Sequence, residues 1–285
     1  MARQRSVAIS VFITIIALIA GCAMPVSHPD VAPAFESGYA PVNGLKMYYE
    51  IHGSAIGGDP PLVLLHGGDP TIETSFGKIL PGLAKDRQVI AFEQQGHGHT
   101  ADVDRPFTFE QSAEDTVALL QYLKIGKADF FGYSNGGHIA LVIALRHPDV
   151  VRKLVIESSM FDREGSDPGF WESFKQVKLE DMPAELREAY LRTAPHPEEL
   201  PTFFSKSVQQ MRYFKGWTTQ EIQSIDAPTL VIVGDHDIVR PEHAVLMFRL
   251  LPNARLAVLP DTDHMRIIKR SEWLLPMIEE FLNNK

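Results

Sequence analysis

Ala128-Asp129-Phe130-Phe131-Gly132-Tyr133-Ser134-Asn135-Gly136-Gly137-His138-Ile139-Ala140 is the stretch that decides the fold. Ala128–Tyr133 is a short run rich in aromatics, as a strand should be. Residues 135–146 read as a helix that ends near Pro148. Between strand and helix lies Gly132-x-Ser134-x-Gly136. A serine at such a turn sits on strained backbone, and glycines two before and two after let the turn close without side-chain clashes. Its hydroxyl then projects above the sheet at the positive end of a helix. The plain alternative is a helix-capping serine at a glycine-rich turn. The strand directly before it favours an exposed nucleophile.

The pattern continues on both sides of this turn. Val42-Asn43-Gly44-Leu45 is a hairpin turn leading into a strand at 46–51. Residues 61–65 form a continuous apolar run, as a strand buried on both faces does, and stop at His66-Gly67-Gly68-Asp69. Residues 88–92 form the next strand, ending at Gly96-His97-Gly98. Phe109, Ala113, Val117, Leu120 and Leu123 recur at helical spacing over 109–123. Residues 150–156 and 229–233 are further strands of the buried type, and 256–259 follow them. This alternation predicts an α/β fold: a mostly parallel sheet of about eight strands covered by helices on both faces. The site is then expected at the carboxyl ends of the strands. The alternation lapses over 160–224, a stretch rich in aromatics from Phe161 to Trp217, with helical pieces at 184–192 and 203–214. It predicts a helical cap over the site, its aromatics lining an apolar pocket.

Taken together, these motifs resemble the α/β-hydrolase fold family, in its serine esterase-like branch, over residues 39–283. His66-Gly67 matches the family's His-Gly after the third strand, and Gly96-His97-Gly98 its Gly-His-Gly after the fourth. Gly132 to Gly136 matches the nucleophile elbow, and Gly234-Asp235-His236-Asp237 the acid-bearing Gly-x-x-Asp. His264 follows the last strand, giving the family's chain order Ser…Asp…His. The resemblance implies that Ser134 is the catalytic nucleophile, His264 its base and Asp237 the acid. A serine needs a base within hydrogen-bond reach, and the base needs a carboxylate to set its tautomer. It also implies an oxyanion hole made by the backbone N–H groups of Gly68 and Asn135.

Two other acids compete with Asp237. Asp235 lies two residues earlier, and Glu157 ends a preceding strand, where some relatives place theirs. Asp237 is preferred because it completes Gly-x-x-Asp and leaves a span before His264 that fits one helix and one strand. Asp263 stands where the family often has glycine before the histidine. His97-Gly98-His99 and Asp235-His236-Asp237 could be imagined as metal ligands, but both fall in family loop motifs, so no metal is expected. His138 and His147 read as packing or surface residues. No cofactor is implied.

The expected reaction is hydrolysis of a small, apolar carboxylic ester or lactone through an acyl-serine. Serine rather than aspartate at the elbow sets aside the family's haloalkane dehalogenases and epoxide hydrolases. C–C bond hydrolases, aminopeptidases and perhydrolases use the same triad. The first two are disfavoured because His66-Gly67-Gly68-Asp69 lacks their usual Gly-Pro-Gly continuation. A non-catalytic, lipid-anchored binding protein on the same scaffold is the alternative of another class.

The 285 residues have ordinary globular composition, with 27 basic and 36 acidic residues and a formal charge of −9. So acidic a chain has no footprint for nucleic acid, and none is expected as a partner. Residues 1–21 read as a signal peptide: Arg3 and Arg5 precede an apolar run over 7–20 too short to span a membrane, which takes about 20 residues. Ile19-Ala20-Gly21-Cys22 resembles a bacterial lipobox and implies lipidation of Cys22, the sole cysteine. Residues 22–38, with prolines at 25, 29 and 33, read as a tether holding the 39–285 domain on a membrane. The expected location is the bacterial cell envelope, the outer membrane if the host is Gram-negative.

Overall fold

The computed structural model describes residues 35–55 and 58–284. The leader, Cys22 and the tether up to residue 34 lie outside the described residues. Eight strands form one sheet: β1 (Glu36–Val42), β2 (Leu45–His52), β3 (Leu62–Leu65), β4 (Val89–Phe92), β5 (Ala128–Tyr133), β6 (Val151–Glu157), β7 (Thr229–Gly234) and β8 (Ala254–Leu259). Their order is β1-β2-β4-β3-β5-β6-β7-β8. β2 runs antiparallel to both its neighbours, and the remaining pairs are parallel. β1 and β2 are joined by Asn43 and Gly44 at φ 46° and 85°, the two positive values that a tight hairpin matching the strand twist requires. β1 begins at Glu36, inside the stretch read from sequence as tether.

Strands buried on both faces need cover on both faces, and side chains alternate between them. Val63, Ile90, Phe130, Leu154 and Val231 share one core with helices Phe109–Tyr122, Asn135–Arg146 and Pro241–Leu250. Leu62, Leu64, Phe131, Val155 and Leu230 share the other with helices Ile72–Phe76, Leu80–Leu83 and Ser271–Asn283. Each such side chain contributes about 1.5–3 kcal/mol on burial, so the sheet centre is the rigid platform on which the elbow stands.

Between β6 and β7 the chain leaves the sheet and forms helices Pro168–Gln176, Ala184–Thr193, Leu200–Arg212 and Thr219–Gln223. A single bridge, Asp162 to Gly216, draws the two ends of most of this excursion together. Its aromatics are spread over several places: Phe161, Trp171 and Phe214 join the core that holds Val63 and Phe130, with Phe170 and Phe174 packed against it. Tyr190 and Phe203 are buried with Met182, Leu186 and Leu200 of the cap and with Phe107 from the loop before helix Phe109–Tyr122, in a small core that joins the two. Tyr213, Phe214 and Trp217 line a cavity of about 480 Å³.

Candidate active site

Ser134 leaves β5 at φ 53° and ψ −120°, a conformation that a side chain adopts only under strain, of order 1–3 kcal/mol. The surroundings hold it there. The Ser134 N–H donates to the Glu157 carbonyl at 2.9 Å. A side chain at Gly132 would collide with the Gly136 carbonyl, and one at Gly136 with the Leu65 carbonyl. Both elbow glycines are therefore required by close backbone approach.

The Ser134 hydroxyl lies 3.0 Å from His264 Nε2. Nδ1 of the same ring lies 2.8 Å from Asp237 Oδ1. The Asp237 side chain is fully buried, whereas His264 keeps 16% of its side chain exposed. The carboxylate also accepts from the Ser158 hydroxyl at 2.5 Å and from the Val239 N–H at 3.1 Å. Burial pushes the Asp237 carboxyl up, but the His264 charge and the donors from His264, Ser158 and Val239 outweigh it and hold it below the usual range. An ionised carboxylate at Nδ1 keeps the proton on that nitrogen and leaves Nε2 free to accept one from Ser134.

The two rival acids are placed elsewhere. Asp235 accepts the Thr262 N–H at 3.0 Å, and that bond holds its carboxyl low. Glu157 is completely buried, and neither carboxyl oxygen has a hydrogen-bond partner among the described residues. Burial first, then the neighbouring Asp237 charge, pushes its carboxyl up to about 8, so it is protonated at neutral pH. Asp263 accepts the N–H groups of Met265 and Arg266 at 2.9 and 2.8 Å. It caps the turn after His264, which is the local role of an acid at a position the family often gives to glycine.

Gly68 and Asn135 meet beside Ser134: a side chain on Gly68 would run into the Asn135 amide. Asn135 opens its helix, so its N–H has no acceptor within it. Two histidines brace the facing loop. His66 places Nδ1 on the Gly67 carbonyl at 2.8 Å and accepts the Gln94 N–H at Nε2, 3.1 Å. Burial, with the nearby His97, pushes its imidazole down to about 3, so it is neutral. His97 places Nε2 on the Gly68 carbonyl at 2.6 Å and Nδ1 on that of Gln95 at 2.9 Å. Both ring nitrogens thus face loop carbonyls, to one of which a neutral ring donates, and His99 pairs with Glu93 at 2.8 Å. His236 is mostly exposed.

The cap helix Leu200–Arg212 is fastened to this loop cluster by three polar side chains. Lys206 reaches Asp102 at 2.6 Å, Ser207 donates to Asp69 at 2.7 Å, and Gln210 accepts from the Asn135 amide at 3.4 Å. Gln210 also lines the cavity of about 480 Å³, together with Phe107, Phe109, Phe214 and Trp217. Ser134, Asn135, Gly68 and His264 are not part of its lining; Gln210 stands between the cavity and Asn135. His138, one turn into the elbow helix, is buried among Phe109, Phe214 and Trp217 and pushed down to about 3 by that burial. It is a neutral packing residue. Sequence reasoning did not single out Ser158, Ser159, Ser207 or Gln210. The only signal for the first two was their place just after a buried strand, at the carboxyl end where sites gather.

Residues 60–271 match the family model described as alpha/beta hydrolase fold. The chain is 28% identical to the human serine hydrolase BPHL over 93% of this chain and 94% of that protein. It is 30% identical to a 2-hydroxymuconate semialdehyde hydrolase of Pseudomonas sp. (strain CF600), over 78% of this chain and 86% of that one. Among solved structures, an enol-lactonase from Burkholderia xenovorans LB400 superposes with a TM-score of 0.69 at 25% identity, covering 86% of this chain and all of that one. With the family model spanning most of its length and hydrolases as its relatives, the chain belongs to the alpha/beta hydrolase fold family.

Proposed function

We propose that this protein is a serine hydrolase that cleaves small, apolar carboxylic esters or lactones through an acyl-serine intermediate. The observation that carries the reading is the line of contacts from Ser134 Oγ to His264 Nε2 at 3.0 Å and from His264 Nδ1 to Asp237 at 2.8 Å. As Oγ bonds to the substrate carbonyl carbon, its proton passes to Nε2, and the carbonyl oxygen takes the electron pair. The amides of Gly68 and Asn135 are assigned to that oxyanion; one such donor is typically worth about 3 kcal/mol of barrier. Collapse expels the alkoxide, which takes the proton from His264. Water then repeats the sequence and releases the acid. The aromatic cavity beside Gln210 is the reason for proposing an apolar substrate.

A fluorophosphonate probe tests the reading directly. The expected result is a single adduct on Ser134, located by mass spectrometry, and none on Ser134→Ala. Absence of the adduct from the wild type would return the chain to a non-catalytic binding role. The substrate class is tested with aryl esters of increasing acyl length beside lactones and peptide amides. Preference for amides would overturn the ester assignment. One competing reaction has a specific motive, the 30% identity to a 2-hydroxymuconate semialdehyde hydrolase. That compound belongs in the same panel, and turnover of it above every ester would move the assignment to C–C cleavage.

We further propose that residues 1–21 are cleaved, that Cys22 is lipidated, and that the following residues tether the domain to a bacterial envelope membrane. From Cys22 to the start of β1 at Glu36, at about 3.1 Å per residue, the tether reaches roughly 40 Å. Cys22→Ser should release the protein into the soluble fraction, and unchanged sedimentation with membranes would refute the anchor.

A further inference from the structure

Three consecutive residues at the end of β6 touch both the nucleophile and the acid. The Glu157 carbonyl accepts the Ser134 N–H at 2.9 Å. The Ser158 hydroxyl donates to Asp237 Oδ2 at 2.5 Å. The Ser159 hydroxyl donates to the Ser134 carbonyl, and a side chain on Gly137 would collide with it. Both serines are buried, at 2% and 4% exposure. Ser158 stands at φ 52°, where glycine is the unstrained choice. Its N–H is bonded to the Ile232 carbonyl at 2.9 Å, which fixes that backbone against β7.

The two oxygens of Asp237 have unequal company. Oδ1 takes His264 Nδ1 and the Val239 N–H, while among the described residues Oδ2 has the Ser158 hydroxyl alone. A buried carboxylate held by one oxygen only can turn about its Cβ–Cγ bond and carry the imidazole with it. A donor on the second oxygen stops that rotation, and a strained serine supplies the donor where an unstrained glycine would supply none.

We propose that Ser158 is a positioning residue of the triad: its hydroxyl locks the Asp237 carboxylate with Oδ1 toward His264, and the strained turn through 157–159 sets the distance between acid and nucleophile. This rests on the serine hydrolase reading and adds a fourth side chain to it.

Ser158→Ala and Ser158→Gly test the proposal in the full-length protein. Both remove the hydroxyl, but only alanine keeps the backbone strain, so together they separate the two contributions. Each is expected to lower kcat on an aryl ester about 10- to 100-fold with little change in KM, the range for a hydrogen bond to a buried charge. The acidic limb of kcat/KM is expected to move to higher pH, because a carboxylate with one donor fewer attracts the imidazole proton more strongly. The other titratable groups bearing on the Asp237–His264 pair are Glu157, Tyr133, Asp263 and His138, and neither substitution alters them. A readout free of substrate is the downfield proton resonance of the His264 Nδ1–H, expected to shift in both variants. A wild-type kcat and pH limb in either folded variant, or an unmoved resonance, overturns the proposal. If alanine does not fold, the glycine variant decides alone. Failure of wild-type Ser134 to take the fluorophosphonate would sink the hydrolase reading instead, and the resonance would still judge Ser158.

Discussion

Asp237 and His264 are joined at 2.8 Å from the carboxylate Oδ1 to the ring Nδ1, with the acid fully buried and the imidazole still reaching solvent. This contact makes the ring a one-sided base, since its proton is held on the nitrogen away from Ser134. Asp237→Asn keeps the shape of the acid but offers an amide that can donate to Nδ1 and place the proton on the wrong nitrogen. By analogy with the corresponding change in a well-studied serine protease, kcat should fall about 10⁴-fold while the fold persists. Steady-state kinetics beside circular dichroism checks this, and a loss below tenfold would argue that another group serves as the acid.

Glu157 gives a pH dependence of stability with a definite sign. Its carboxyl is raised from the usual 4.5 to about 8 by burial and by the Asp237 charge. In the unfolded chain it loses its proton near its ordinary value, while the folded protein keeps it. The stabilisation is therefore fully present below about pH 4.5 and declines as pH climbs to about 8, by on the order of a few kcal/mol. Glu157→Gln does not titrate, and its buried amide is no better partnered. The variant should match the wild type near pH 5 and exceed it increasingly toward pH 8. Urea midpoints across that range measure the gap, and a gap constant with pH would show that Glu157 is already ionised when folded.

Gly136 of the elbow and Gly68 of the facing loop separate stability from activity. A methyl group at Gly136 meets the main-chain carbonyls of Leu65 and His66, which cannot step aside without moving β3. Gly136→Ala should cost about 1–3 kcal/mol or more. At Gly68 the methyl meets the end of the Asn135 side chain, which can rotate away. Gly68→Ala should therefore cost little stability, but it shifts the loop whose Gly68 N–H is assigned to the oxyanion and should lower kcat. Denaturation and turnover measured on both variants check the contrast. Equal losses of stability would mean that the Gly68 loop is as rigid as the sheet.

The parts legible in the sequence are those in which local physics and tertiary structure agree. Asn43-Gly44 marks a hairpin because few other pairs accept two positive φ values, and the runs before His66 and after Gln88 mark strands because both faces are buried. Ser134 was legible for the same reason, since its glycines are demanded within five residues. The start of β1 was not: Glu36 and Ser37 are exposed on an edge strand whose only neighbour among the described residues is β2, so no apolar pattern announces it. Choosing Asp237 over Glu157 took spacing arguments in sequence, whereas in three dimensions one carboxylate faces His264 and the other is buried without a partner. Ser158 and Gln210 act through partners 79 and 75 residues away, and such pairings leave no local trace.

Gln210 offers a route to the substrate. Its side chain accepts from the Asn135 amide at 3.4 Å and also forms part of the wall of the cavity among Phe107, Phe109, Phe214 and Trp217. A bond that long is weak, so the residue counts mainly as volume between the elbow and the cavity. Gln210→Ala removes that volume and leaves Ser134, His264 and Asp237 untouched. If the cavity accepts the acyl chain, the variant should favour longer esters. Each methylene newly buried is worth roughly 1 kcal/mol, so the ratio of kcat/KM between the longest and shortest aryl esters should rise several-fold or more. The short ester should be hydrolysed at nearly the wild-type rate. A ratio that does not move would mean that the acyl chain lies elsewhere, and the aromatic wall would then be packing for the cap.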